Sequence, residues 1–113
     1  MKRIIFLITL IIMSSCTPKQ NLDEFAKCLT ENGVVMYGAV GCSHCARTKD
    51  MFRDSFQFVT YVECNPNAPD YQTEECLENN IDYFPTWVFN DGSRIIGEVD
   101  LDQLSQKSGC AYG

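Results

Sequence analysis

Apolar and polar positions along this chain change period several times, and each change marks an element. Leu22, Phe25, Ala26 and Leu29 recur at helical spacing, so residues 21–32 read as a helix that Asn21 can cap and Gly33 can end. The apolar run Val34-Val35-Met36-Tyr37 reads as a buried strand, and residues 38–41 as a loop. A second helix is expected over residues 43–56, with Cys45, Thr48, Phe52 and Phe56 roughly along one face. Residues 58–64 form the next strand, followed by a loop at 65–70, where Pro66 and Pro69 cannot donate to a ladder. A short helix over 73–80 carries Cys76 and Leu77, with Glu74 and Glu75 in its first turn. Residues 86–89 and 94–99 then read as a hairpin turning at Asn90-Asp91-Gly92. Asp100 caps a last helix over 101–107, and Gly109 ends it.

The stretch ahead of these elements changes the picture. Lys2 and Arg3 precede an apolar run over residues 4–12, and small residues Ser14 and Ser15 then lead to Cys16. This is an export signal over residues 1–15, its core shorter than the ~20 residues a spanning helix needs. Met13-Ser14-Ser15-Cys16 resembles the lipobox of bacterial lipoproteins, with Met in place of the usual leucine. That resemblance implies a lipidated Cys16, a polar tether over 16–21, a folded domain over 22–113, and a chain held at a membrane in the periplasm or at the cell surface. Losing Lys2 and Arg3 takes the net charge from −6 to −8. An acidic chain with no basic patch speaks against a nucleic-acid partner.

Six cysteines follow Cys16, an even number that suits an oxidising compartment. Cys42 and Cys45 form a C-x-x-C motif where a strand gives way to a helix, which is a redox arrangement. Cys42 at the helix start meets unpaired N–H groups that favour its thiolate, so it is the expected nucleophile, and Cys45 the resolving thiol. His44, the single histidine, would add positive charge beside Cys42 when protonated. A static staple is the alternative for this pair, but so short a loop constrains an unfolded chain little. The other four cysteines allow three pairings. The favoured one joins Cys64 to Cys76 across the proline loop and Cys28 to Cys110, first helix to C-terminus. A relay of electrons from one of those pairs to Cys42–Cys45 is the functional alternative.

The spans Val35-Met36-Tyr37-Gly38, Cys42-Ser43-His44-Cys45, Tyr61-Val62-Glu63-Cys64, Tyr83-Phe84-Pro85-Thr86-Trp87 and Ser108-Gly109-Cys110 resemble the thioredoxin-like domains associated with vitamin K epoxide reductase homologues. They resemble bacterial periplasmic disulfide oxidoreductases more distantly. The resemblance implies an α/β thioredoxin-like fold, a central mixed four-stranded sheet with helices on both faces. It implies a cis Pro85 that, with Phe84, flanks Cys42 and guides an extended substrate. Trp87 reads as core. Two positions depart from the pattern: Val40-Gly41 replace a tryptophan before the motif, and Met36 stands where many thioredoxins bury an acid. The second departure leaves the resolving thiol to water or another base.

The function expected is an exported, membrane-tethered thiol–disulfide oxidoreductase acting on protein thiols and disulfides, oxidative rather than reducing or isomerising, and without a cofactor. A vitamin K epoxide reductase-like or other membrane redox protein is the partner the resemblance implies. A metal module using Cys42, His44 and Cys45 is a second class, disfavoured because adjacent His44 and Cys45 do not readily face one ion. A redox-inactive binding domain is the third.

Overall fold

The computed structural model describes residues 22–112. The export signal, Cys16, the tether and the Asn21 cap fall outside them. The elements are α1 (Asp23–Glu31), β1 (Val35–Gly38), α2 (Ser43–Phe52), a 3-10 segment (Arg53–Phe58), β2 (Thr60–Glu63), α3 (Thr73–Glu78), β3 (Thr86–Val88), β4 (Arg94–Ile96) and α4 (Leu101–Ser108).

The four strands form one sheet in the order β2-β1-β3-β4. β1 runs parallel to β2, with Gly38 opposite Glu63, and antiparallel to β3. β3 and β4 form the antiparallel hairpin. A parallel β-α-β unit joined to a hairpin, with a dithiol at the head of the crossover helix, is the thioredoxin-like fold. Among the described residues no helix is long and apolar enough to cross a membrane.

Alternation along β1 divides the core. Met36 faces a large cluster that takes Phe25, Ala26 and Leu29 from α1, Cys45 and Phe52 from α2, and Leu104 from α4. Tyr37 faces a smaller cluster with Val62, Cys64 and Cys76, where α3 covers the sheet. Trp87 is fully buried in the larger cluster, its ring 6.1 Å from that of Phe52.

Several element ends differ from the sequence expectation: β2 begins at Thr60, after the 3-10 segment takes Phe58, α3 ends at Glu78, β3 at Val88 and β4 at Ile96. α1 begins at Asp23 with Leu22 at its N-cap and no side-chain cap bond. α2 stops at Phe52, because Arg53 takes φ +53° and breaks the helical ladder; Phe56 falls in the 3-10 segment that follows. By contrast, Asp100 and Gln103 make a full capping box on α4, and Gly109 closes it in the left-handed conformation.

Cys28 is bonded to Cys110, 82 residues away, and Cys64 to Cys76, 12 residues away. The first ties α1 to the segment beyond α4. The second ties the end of β2 to α3.

Candidate active site

Three pieces of chain build the site: the loop into α2, the Phe84-Pro85 segment, and Gly97-Glu98 after β4. Gly41 turns the chain at φ +90°, a left-handed value costly for any residue with a Cβ, and delivers Cys42 to the helix N-cap. Cys42 is half-buried and carries a free thiol. Its Sγ lies 3.7 Å from the Phe84 carbonyl oxygen. The Phe84–Pro85 peptide bond is cis, and the Gly97 N–H donates to the Pro85 carbonyl at 2.8 Å, joining that segment to β4. Cys42, Cys45, Phe84 and Pro85 thus belong to one neighbourhood, and the two disulfides lie outside the C-x-x-C pair.

The two thiols differ sharply. Burial, the largest influence on Cys42, raises its pKa. Hydrogen bonds from the Cys45 backbone and thiol, from the His44 backbone N–H, and the charge of Arg47 together outweigh that, so Cys42 titrates below an ordinary cysteine. Cys45 is 1% exposed. Burial pushes its thiol up to about 11, assisted by its contact with Cys42 and opposed by the Ala39 backbone and Lys49.

His44 serves this site through its backbone. Its ring turns outward, with Nδ1 2.6 Å from Glu98 Oε1. Arg47 Nε donates to the same oxygen at 2.6 Å. With a proton on Nδ1 the ring donates to Glu98, and Arg47 Nη2, 2.9 Å from that nitrogen, is then a neighbour rather than a donor to it. Arg47 and Glu98 had no role in the sequence reading. Their signal was faint: Arg47 lies one helical turn beyond His44, but nothing local brings Glu98 to it.

The loop before Cys42 is held from β2. Glu63 is 2% exposed. It accepts from Val40 N–H at 2.9 and 3.1 Å, from Asn65 N–H at 3.0 Å and from the Tyr61 hydroxyl at 3.1 Å. Asn65 Nδ2 donates back to the Val40 carbonyl at 3.0 Å. The sequence motif contained Glu63 without giving it a task. Among the described residues, no three or more His, Cys, Asp or Glu side chains gather to hold a metal ion.

Fold and site define a thioredoxin-like domain carrying a dithiol of the kind that thiol–disulfide oxidoreductases use. No protein-family model matches the chain. Over 88 residues it is 40% identical to thiol-disulfide oxidoreductase LTO1 of Arabidopsis thaliana; the match takes in 74% of this chain but 23% of that protein, about a quarter of its length. Among solved structures, glutaredoxin from Methanosarcina mazei Go1 is 25% identical, with 67% of this chain and 77% of that chain covered and a TM-score of 0.46. Thioredoxin O2 from Arabidopsis thaliana is 19% identical, covering 84% and 92%, with a TM-score of 0.47.

Proposed function

We propose that this chain is an exported, lipid-anchored thiol–disulfide oxidoreductase that exchanges disulfides with protein cysteines. Cys42 is the nucleophile and Cys45 the resolving thiol. In the oxidising direction, a substrate thiolate attacks the Cys42–Cys45 disulfide and forms a mixed disulfide with Cys42. A second substrate thiolate then displaces Cys42, leaving an oxidised substrate and a reduced C-x-x-C pair. Phe84 and Pro85 line the approach to Cys42 and guide the substrate chain. Arg47 adds positive charge at the helix start, answered by Glu98, and His44 contributes its backbone N–H to Cys42.

The observation that carries this reading is the asymmetry of the pair: a reachable Cys42 with a lowered pKa, and a buried Cys45 with a raised one. Stabilising the Cys42 thiolate stabilises the reduced form, which makes the disulfide the stronger oxidant. The similarity to LTO1 supports the chemistry; the export signal and the Cys16 lipobox support the address. A membrane protein resembling vitamin K epoxide reductase is the proposed source of fresh disulfides. Cys28–Cys110 and Cys64–Cys76 remain structural throughout.

Thiol trapping in cells tests the direction. A pair found mostly oxidised supports a disulfide donor, and one found mostly reduced makes the protein a reductase. Wild type and Cys42→Ser compared in a thiol-oxidation and an insulin-reduction assay test the activity; equal rates would leave only a binding domain.

A further inference from the structure

Met36 is apolar and fully buried where many thioredoxins carry an acid, so the proton of the Cys45 thiol needs another destination. The neighbouring strand supplies one. Glu63 stands opposite Gly38 in the β1–β2 register. Above Gly38 there is no Cβ, and the space is shared. A Cβ there would lie 3.2 Å from Cys45 Sγ, 3.1 Å from the Tyr61 hydroxyl and 2.9 Å from Tyr61 Cε2. Sulfur and phenol therefore border the same small gap. Beyond it, the Tyr61 hydroxyl donates to Glu63 Oε1 at 3.1 Å. From the sulfur inward, then, the order is thiol, phenol, buried carboxylate.

We propose that Tyr61 and Glu63 form the proton acceptor for the Cys45 thiol, Tyr61 passing the proton and Glu63 receiving it, when the resolving step expels a substrate from Cys42. This rests on the oxidoreductase reading above. In that step Cys45 S–H gives its proton to the Tyr61 oxygen as Tyr61 gives its own to Glu63. The Cys45 thiolate attacks Cys42 sulfur, the Cys42–Cys45 bond forms, and the bond to the substrate sulfur breaks. The substrate leaves as a thiolate and takes up a proton from water, and Glu63 later returns its proton to solvent. The protein pair is oxidised and the substrate disulfide reduced. Run backwards, the same path returns a proton to Cys45 when the pair donates its disulfide.

The surrounding charges fit this route. From α2, Lys49 Nζ sits 4.0 Å over the Tyr61 ring, and Cys42 and Arg47 stand at the helix start. Asp70 faces Tyr61 from the loop beyond β2. Burial, then Glu63, keeps the Tyr61 hydroxyl protonated far above neutral pH, so it serves as a conduit and not as the final base. A Cys45 thiol pushed up to about 11 gains most from such help near neutral pH.

The test is the reaction of the reduced full chain, its two structural disulfides intact, with an aromatic disulfide reagent in stopped flow. Attack by Cys42 releases one chromophoric thiol, and resolution by Cys45 releases a second; Cys45→Ser identifies the second phase by losing it. Glu63→Gln keeps an oxygen for the Val40 and Asn65 N–H groups. It is expected to slow the second phase about tenfold or more at neutral pH, to shift that phase's pH profile upward, and to leave the first phase intact. Tyr61→Phe keeps the ring under Lys49 and is expected to act in the same direction; it also carries the test should Glu63→Gln fail to fold. Unchanged second phases in the folded variants, or equal slowing of both phases, would overturn the relay. A wild type lacking the first phase would instead defeat the oxidoreductase reading, and the relay with it.

Discussion

The Cys42 thiol points at the carbonyl oxygen of Phe84 across 3.7 Å. That carbonyl belongs to the segment proposed to receive substrate, so the reactive sulfur and the guiding backbone face one another. The contact leaves Cys42 half-buried, in reach of a reagent, while Cys45 lies behind it.

Alkylation of the reduced protein against pH follows from that geometry. Cys42 is expected to react with a midpoint below that of free cysteine. Cys45 should stay unmodified through neutral pH and gain reactivity only as the solution nears pH 11. Mass mapping of the labelled peptides reads both. Modification of Cys45 before Cys42 would invert the assignment.

The charge near Cys42 is predicted to come chiefly from Arg47. Arg47→Ala removes a cation that favours the thiolate, so the reduced form loses stability and the protein becomes a weaker oxidant. The shift is on the order of 10 mV, the scale of an exposed interaction, and should fade in high salt. Glu98→Gln should move the potential the opposite way, since it removes the anion that answers Arg47 and His44. His44→Ala keeps the backbone N–H that serves Cys42, and its effect is expected to be smaller than that of Arg47→Ala. Equilibration against a glutathione buffer measures all three.

Gly38→Ala brings a methyl group to within 2.9 Å of Tyr61 and 3.2 Å of Cys45 Sγ, closer than ordinary contacts allow. We expect a loss of about 1–3 kcal/mol in stability by denaturant titration. A variant as stable as the wild type would show that Tyr61 moves freely.

Removing either disulfide should cost stability, and more for the longer loop, the cost rising with the logarithm of loop length. In the chain-entropy account, a Cys28→Ser/Cys110→Ser double variant is expected to lose about 4.5 kcal/mol, and Cys64→Ser/Cys76→Ser about 3 kcal/mol. Equal losses by guanidinium titration would contradict a loop-length origin.

Much of this was legible in the residues. The periods of hydrophobicity located α1, β1 and α2, and turn and cap residues located the β3–β4 hairpin and α4, whereas the 3-10 segment Arg53–Phe58 carried no such signal. Ends were less legible: the stop of α2 at Phe52 depends on the backbone of Arg53, a residue with no sequence preference for φ +53°. The half of the site that lies on α2 was readable because its chemistry is contiguous in the motif. Glu98 and Glu63 were not, since their roles arise from sheet register and from a turn after β4, both set by contacts distant in sequence. Looking for an acid six residues before Cys42 found Met36, whereas the buried carboxylate sits one strand over.

The Cys28–Cys110 bond has a mechanical side. It clamps the first helix to the last segment, so tension applied at residues 22 and 112 reaches a covalent link before it reaches the sheet. The strands between would be shielded from a pull at the chain's ends, and the dithiol with them.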